Sequence, residues 1–550
     1  MQIKRVTKML SAVLSAAMLI TSVPAAFLAE TVESAGVGEK AREENLLKIW
    51  FDEPVSQGTV RSGMQGGQGT TAPDNIWQQL TLPIGNSMMG ANIYGEIAEE
   101  HLTFNQKTLW NGGPSESRPN YNGGNKQNMA DTYQRVVDLF LAGEDSAASS
   151  LCDSLTGESA GYGAYQSWGD IYLKFDGLSS STDYRRDLDL TTGMANVDFT
   201  ANGTDYHREY FISHPDNVLA MKLTADGSSK LNMNVKFLVD NGETDDETTS
   251  NLNRKLGKEN VSYTVNAQEG TIVTKGQMQD NQMQMNSMLK VQTQGTVTKN
   301  ADGQSLDVAN ADEVVIFISA DTDYKNDYPS YRTGETPEEL AESVAQTVTA
   351  AAEKGYSEVQ KSHLKDYQEL FGRVNLDLGQ SATDKTTDAL LTAYNATGNG
   401  AASDTEKRLL EVILYQYGRY LTIASSREGD LPSNLQGVWQ NRVGDHTRVA
   451  WGCDYHMNVN LQMNYWPTYS ANLAECATPL IDYVDSLREP GRVTAESYYG
   501  IKSETGEANG FTAHTQNTPF GWTCPGWAFS WGWSPAAVPW IIQNCWEHYE

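Results

Sequence analysis

The densest chemistry in these 550 residues lies between Trp451 and Trp466. Here His456, Asn458, Asn460, Gln462 and Asn464 take every second position and alternate with Met457, Val459, Leu461 and Met463. An extended backbone would turn all five polar side chains to one face, whereas a helix would split them between two. A buried amide costs about 1–3 kcal/mol unless it is hydrogen-bonded, so such a row needs partners. A sugar, a dense array of hydroxyls, is one natural complement. A ladder of amides stabilising the interior of a helical barrel is the other.

Other motifs carry less. Gly157-Glu-Ser-Ala-Gly161 matches the G-x-S-x-G nucleophile elbow, but that elbow needs a buried strand before it and a helix after it. Leu151-Cys-Asp-Ser-Leu-Thr156 is no buried strand, and Tyr162-Gly-Ala-Tyr165 puts a glycine where the helix should begin, so a glycine-rich turn is the better account. The eight histidines (101, 207, 214, 363, 446, 456, 514 and 548) form no H-E-x-x-H, and with the cysteines they make no zinc-finger spacing. Asp240 to Glu247 lacks the ligand spacing of an EF-hand and reads as a solvated acidic turn. The sequence therefore calls for no metal and no cofactor. Asp454 with Glu547 is an alternative pair of carboxylates for acid–base work, although Glu547 also fits a structural helix position.

These residues must be held by a sizeable fold. A net charge of −30 argues against nucleic acid as a partner and against docking on anionic lipid. Thirty-nine per cent hydrophobic residues suffice for buried cores, and 47 Gly, 26 Tyr and 13 Trp suit turn-rich β-domains and sugar-stacking surfaces. Residues 1–29 read as a secretory signal: Lys4, Arg5 and Lys8 precede the apolar Met9–Ile20, and Val23-Pro-Ala25 offers a cleavage site. No second long apolar run follows, so a secreted or extracellular protein without a membrane-spanning segment in this chain is expected, with cell-surface attachment through sequence beyond residue 550 as the alternative. Cys152, Cys453, Cys476, Cys524 and Cys545 are too few for a disulfide scaffold, and one bridge after residue 450 is left open.

From about Tyr165 to Asp323 the chain alternates in short segments. Leu231, Met233, Val235, Phe237 and Val239 form one strand pattern, Leu219, Met221 and Leu223 another, and Val314 to Ser319 is a compact apolar run. Turns such as Ala201-Asn-Gly-Thr204 and Asp240-Asn-Gly242 separate them. A large antiparallel sandwich is expected, followed by one or two connector helices over Glu338–Phe371. A polar stretch at 380–404 with a loop around Gly398-Asn-Gly400 comes next. Ser403-x-x-Glu406 is a capping box ahead of a helix whose girth is mostly apolar, which predicts burial on several sides. Short helices over Ala474–Leu487 and Ala536–Tyr549 alternate with Trp-rich loops.

Stretches along most of the chain, in order, give it a family resemblance. They are Trp77-Gln-Gln-Leu-Thr-Leu-Pro-Ile-Gly-Asn86 with Met89-Gly-Ala91, Leu102-Thr-Phe-Asn105 with Thr108-Leu-Trp-Asn-Gly-Gly-Pro114, Gln166–Leu173, Tyr184–Leu190 with Ser213-His-Pro-Asp216, Phe371–Gly379, Leu431–Trp439, and Asn458-Val-Asn-Leu-Gln-Met-Asn-Tyr-Trp-Pro467. The sequence resembles glycoside hydrolase family 95, inverting α-L-fucosidases that favour α-1,2-linked fucose, with some members acting on α-L-galactosides. The resemblance implies a multidomain β + α protein: an N-terminal β-sandwich over 40–330, a helical linker over 331–380, and over 381–550 the first part of an (α/α)6 barrel carrying the active site. Inversion needs an acid on the leaving oxygen and a base on a water at the opposite face, ~6.5–9.5 Å apart. The resemblance makes Asn458 and Asn460 the water-activating pair, polarised by a distant aspartate through a network effective in a dry site. It also makes His456 a sugar contact and Trp533 a residue near the sugar. The family's general acid is a glutamate in a Ser-Pro-Glu-like motif, whereas Ser534-Pro535 here is followed by Ala536, so the acid and the polarising aspartate are expected beyond Glu550. Ala513-His-Thr-Gln-Asn-Thr-Pro-Phe520 departs from the family's His-His-Asn-Thr-Asp stretch and bears on substrate specificity. The expected partner is a fucosylated oligosaccharide or glycan. Competing expectations are an α-L-galactosidase, a related (α/α)6 sugar phosphorylase, and a non-hydrolytic glycan-binding protein.

Overall fold

A computed structural model describes residues 46–58, 60, 72–239, 257–440, 450–502, 510–526 and 528–550. The signal segment, the Asp240–Glu247 turn and His446 lie outside the described residues. An N-terminal antiparallel β-domain is followed by a helical region. Among the described residues the larger sheet has nine strands, running from Lys48–Phe51 at one edge to Lys258–Asn266 at the other. The second has seven, from Thr296–Lys299 to Leu82–Gly85.

The alternating patterns become strands for the expected reason. Along Leu231–Val239 the odd-numbered residues are buried and the even-numbered ones are half-buried or exposed. Both sheets contribute inward faces to one core, with Leu219, Met221, Leu223, Ile316 and Ile318 from the larger and Phe104, Ile171, Val235 and Phe237 from the smaller. The run Val314–Ser319 is continuously apolar because its strand, Glu313–Thr322, is buried on both faces. Val315 and Phe317 point away from the shared core and pack with Val344, Val348 and Ala351 of a covering helix. Asn202 and Gly203 both have positive φ (52° and 71°) between paired Ala201 and Thr204, a two-residue turn matched to strand twist.

The covering helix is Pro337–Lys354, capped by Thr336 and Glu339. Gly355 at φ 81° breaks it from Tyr356–Phe371, so the connector is two helices. Beyond it, the polar stretch 380–404 carries the expected turn at Gly398–Gly400 and also a helix, Thr387–Asn395, which Thr386 caps and which buries only Leu390 and Ala393. One expectation fails. The Asp404–Ser425 helix does begin at the Ser403/Glu406 capping box. It is buried along one stripe, however: Leu409, Val412, Ile413, Gln416, Arg419, Tyr420 and Ile423 face inward, while Leu414 is 71% exposed. The apolar residues at 414 and 415 sit opposite the stripe that meets the linker and the β-domain.

Polar clasps join the two halves. Lys107, at the end of a β-domain strand, donates to Ser87 Oγ (2.9 Å) and to the carbonyls of Ser425 (2.6 Å) and Leu431 (2.8 Å). Burial pushes its ammonium down to about 8, with nearby Asp430 opposing. The Tyr420 hydroxyl donates to Pro83 O and the Trp439 indole to Ile84 O. All five cysteines are free. Among the described residues, no helix is long and apolar enough to cross a membrane.

Candidate active site

The polar row of 456–464 is divided by the backbone. Tyr455–His456 is a short strand paired antiparallel with Gln516–Asn517, His456 opposite Gln516, and Met457 N donates to Thr515 O at 2.7 Å. A helix then runs over Asn460–Tyr465. Met457, Leu461 and Tyr465, four residues apart, anchor this strand-to-helix turn in an apolar cluster with Leu480, Tyr483 and Ile541. Asn458 and Asn460 stand exposed on the turn. Gln462 falls on the inner side of the helix, fully buried, and donates to Met457 O (2.8 Å), while Asn464 donates to Asn434 O (3.2 Å). His456, Asn458 and Asn460 are thus brought together as successive features of one turn, and Gln462 and Asn464 brace it.

Asp454 lies beneath this turn with no exposed surface. Its Oδ1 is 2.5 Å from His456 Nδ1, close but bent away from ideal hydrogen-bond alignment, and its Oδ2 accepts from the Tyr162 hydroxyl. Burial raises the Asp454 carboxyl above the usual range, and the His456 interaction pulls it back. Tyr162 comes from the glycine-rich turn after Gly157. That turn is a 3-10 turn over Ser159–Gly161 following a helix, not a nucleophile elbow. Gly163 (φ 86°) is required there, because a Cβ would lie 2.1 Å from Asn111 O. Tyr165 N then donates to Gly452 O (3.0 Å), so the β-domain reaches into the candidate site. Sequence reasoning missed Tyr162: no local pattern links it to a residue 292 positions away.

The partner strand is polar inside. Side-chain oxygens of Thr515, Gln516, Asn517 and Thr518 are buried without a hydrogen-bond partner among the described residues, as are those of Gln462 and Asn544. Groups of this kind pair naturally with water or hydroxyls. The Ala513–Phe520 stretch, marked in the sequence only by its departure from a family pattern, is therefore the wall beside His456. Trp533 is half-buried and packs on Tyr133 (centroids 5.8 Å), His514 (5.0 Å) and Phe529 (5.2 Å). A Cβ on neighbouring Gly532 would lie 3.1 Å from Gln516 Oε1, so Gln516 links the Trp533 element to the His456 strand. His514 is fully buried, its Nε2 2.9 Å from the Tyr499 hydroxyl and its Nδ1 3.0 Å from Thr523 O. Burial pushes it down to about 4, and the Thr523 carbonyl opposes. The alternative carboxylates are set differently, Asp454 in the interior and Glu547 on an exposed stretch of the Ala537–Tyr549 helix.

Residues 355–550, which contain this turn, match the family described as "Glycosyl hydrolase family 95 catalytic domain". This part of the chain carries the glycoside hydrolase family 95 catalytic domain. Residues 49–327 match the family 65 N-terminal domain, the β-domain described above. Alpha-L-fucosidase 2 of Arabidopsis thaliana is 32% identical over 487 residues, covering 87% of this chain and 55% of the relative. The Aspergillus niger protein named "Probable alpha-fucosidase A" is 32% identical over 497 residues, covering 87% and 57%. The chain spans a little over half the length of these curated relatives. A solved human-microbiome protein assigned as a kojibiose phosphorylase shares the fold, with a TM-score of 0.54 at 9% identity, covering 92% of this chain and 56% of that one.

Proposed function

We propose that this protein is an exported glycoside hydrolase that removes terminal α-L-fucose, α-1,2-linked, from glycans with inversion, on an (α/α)6 barrel begun by the helices after residue 380. The observation that carries the reading is the turn at 456–460, where an imidazole that faces a buried carboxylate is followed by two exposed carboxamides. The fucosidase names of the curated relatives supply the sugar. His456 binds the fucose, Trp533 flanks it, and Asn458 with Asn460 orients and activates the attacking water. A bound sugar covers the exposed amides, and solvent exclusion strengthens their polarisation. The proposal concerns the water-activating half of an inverting displacement.

The test is proton NMR of the full-length protein acting on an α-1,2-fucosyl disaccharide. β-L-Fucose is expected as the first anomer released. α-L-Fucose first would overturn inversion, release only from an α-L-galactoside would move the specificity, and glycan binding without release would make the protein a binding module.

A further inference from the structure

The covering helix ends at Lys354, and Gly355 turns the chain into the next helix, which leaves a groove between this break and the nine-stranded sheet. Strand pairing sets Lys222 beside Val315 and Val315 beside Gln292, so three strands bring side chains to one rank on the outer face. The groove has a volume of about 520 Å3, within the ~300–1,000 Å3 of small-molecule sites. Its floor is apolar and fixed: Val315 and Tyr356 are buried there, and the Tyr356 hydroxyl donates to Glu209 at 3.1 Å.

The walls are polar, yet every charge on them is matched. Lys222 pairs with Glu313 (3.1 Å), Lys354 with Asp216 (2.5 Å), Asp312 with Lys230, and Glu358 with Lys361 (3.5 Å). Paired ammonium and carboxylate groups still have donors and lone pairs for a guest. Gln292 Nε2 donates to Ala352 O (3.1 Å), which leaves its Oε1 open. No hydrogen bond among the described residues engages the exposed side chains of Gln294 and Ser357.

We propose that this groove is a second glycan site, apart from the 456–460 turn, and that it takes a neutral oligosaccharide. A sugar ring brings an apolar C–H face to the floor and hydroxyls that both donate and accept to the walls. A sulfate or phosphate would find each ammonium already engaged. A peptide cannot add as a strand, because the three strands under the groove are interior to the sheet and have neighbours on both sides. All the lining residues lie between 222 and 358, so the site belongs to the β-domain and linker and does not rest on the fucosidase reading.

An array of neutral oligosaccharides without fucose, set beside their sulfated forms and probed with the full-length protein, tests the assignment. Retention on neutral members is expected. Ser357→Trp puts a large ring into the groove and is expected to weaken retention about tenfold or more, and Gln294→Ala about threefold, the loss of one neutral hydrogen bond. Both positions are exposed, so neither change disturbs the core. Failure to retain any neutral member overturns the proposal, as does tighter binding of the sulfated forms. Retention unchanged in both variants would place the sugar on another surface and end the assignment.

Discussion

The Lys107 ammonium sits 2.8 Å from the carbonyl oxygen of Leu431, 324 residues further along the chain. Two more acceptors, Ser425 O and Ser87 Oγ, complete a buried cradle at the seam between the β-domain and the helical region. Replacing Lys107 by Met removes the desolvated charge but strands two carbonyls. Lys107→Met is expected to lower stability by about 2–4 kcal/mol. Urea unfolding measures it, and an unchanged midpoint would show that the cradle adds nothing net.

His514 supplies a pH dependence with a definite sign. Burial holds the folded ring down to about 4 against an ordinary value of 6.5, so between these limits the unfolded chain binds the proton and the folded one does not. Stability is complete above pH 6.5 and falls as the pH drops toward 4, by up to ~3 kcal/mol. His363, held equally low by burial, adds a second such contribution. His514→Gln should flatten the acid limb by about half, read by chemical denaturation at three pH values. A variant with the wild-type slope would show that His514 does not carry it.

Two glycines with positive φ should separate strain from collision. Gly203 has open space where a Cβ would go, so Gly203→Ala should cost about 1 kcal/mol from backbone conformation alone. Gly163→Ala adds the contact with Asn111 O and should cost at least ~2 kcal/mol more, while also displacing Tyr162. Thermal denaturation of the pair checks this, and equal losses would refute the packing account of the glycine-rich turn.

For the proposed reaction, Asn458→Gly in the full-length protein is expected to lower kcat by about a hundredfold or more with KM changed less than about threefold, because in that proposal the amide acts on water rather than on ground-state sugar binding. Turnover close to wild type would remove Asn458 from that role.

What could be read from the sequence was whatever repeats locally. The burial alternation of Leu231–Val239, the Asn202-Gly203 turn and the Ser403/Glu406 cap each follow from a few neighbouring residues and reappear in the structure. The Thr387–Asn395 helix escaped notice because two buried side chains leave almost no apolar period. The exposure of Leu414 depends on which neighbours surround the Asp404–Ser425 helix, and its own sequence does not contain that information. At the candidate site, His456, Asn458 and Asn460 stood out by spacing. The strand-to-helix change that parts them from Gln462 is set instead by Met457, Leu461 and Tyr465 docking in the neighbouring cluster.

The reach of Tyr162 and Tyr165 into the 450–456 segment also bears on assembly during synthesis. The β-domain leaves the ribosome first, and it carries the phenol that Asp454 will meet. When the later segment emerges, the phenol for its buried acid is already synthesised, but Tyr498, Trp522 and Cys524, which pack around Tyr162, follow later still, so the 456–460 turn settles only once the 498–524 stretch has been made.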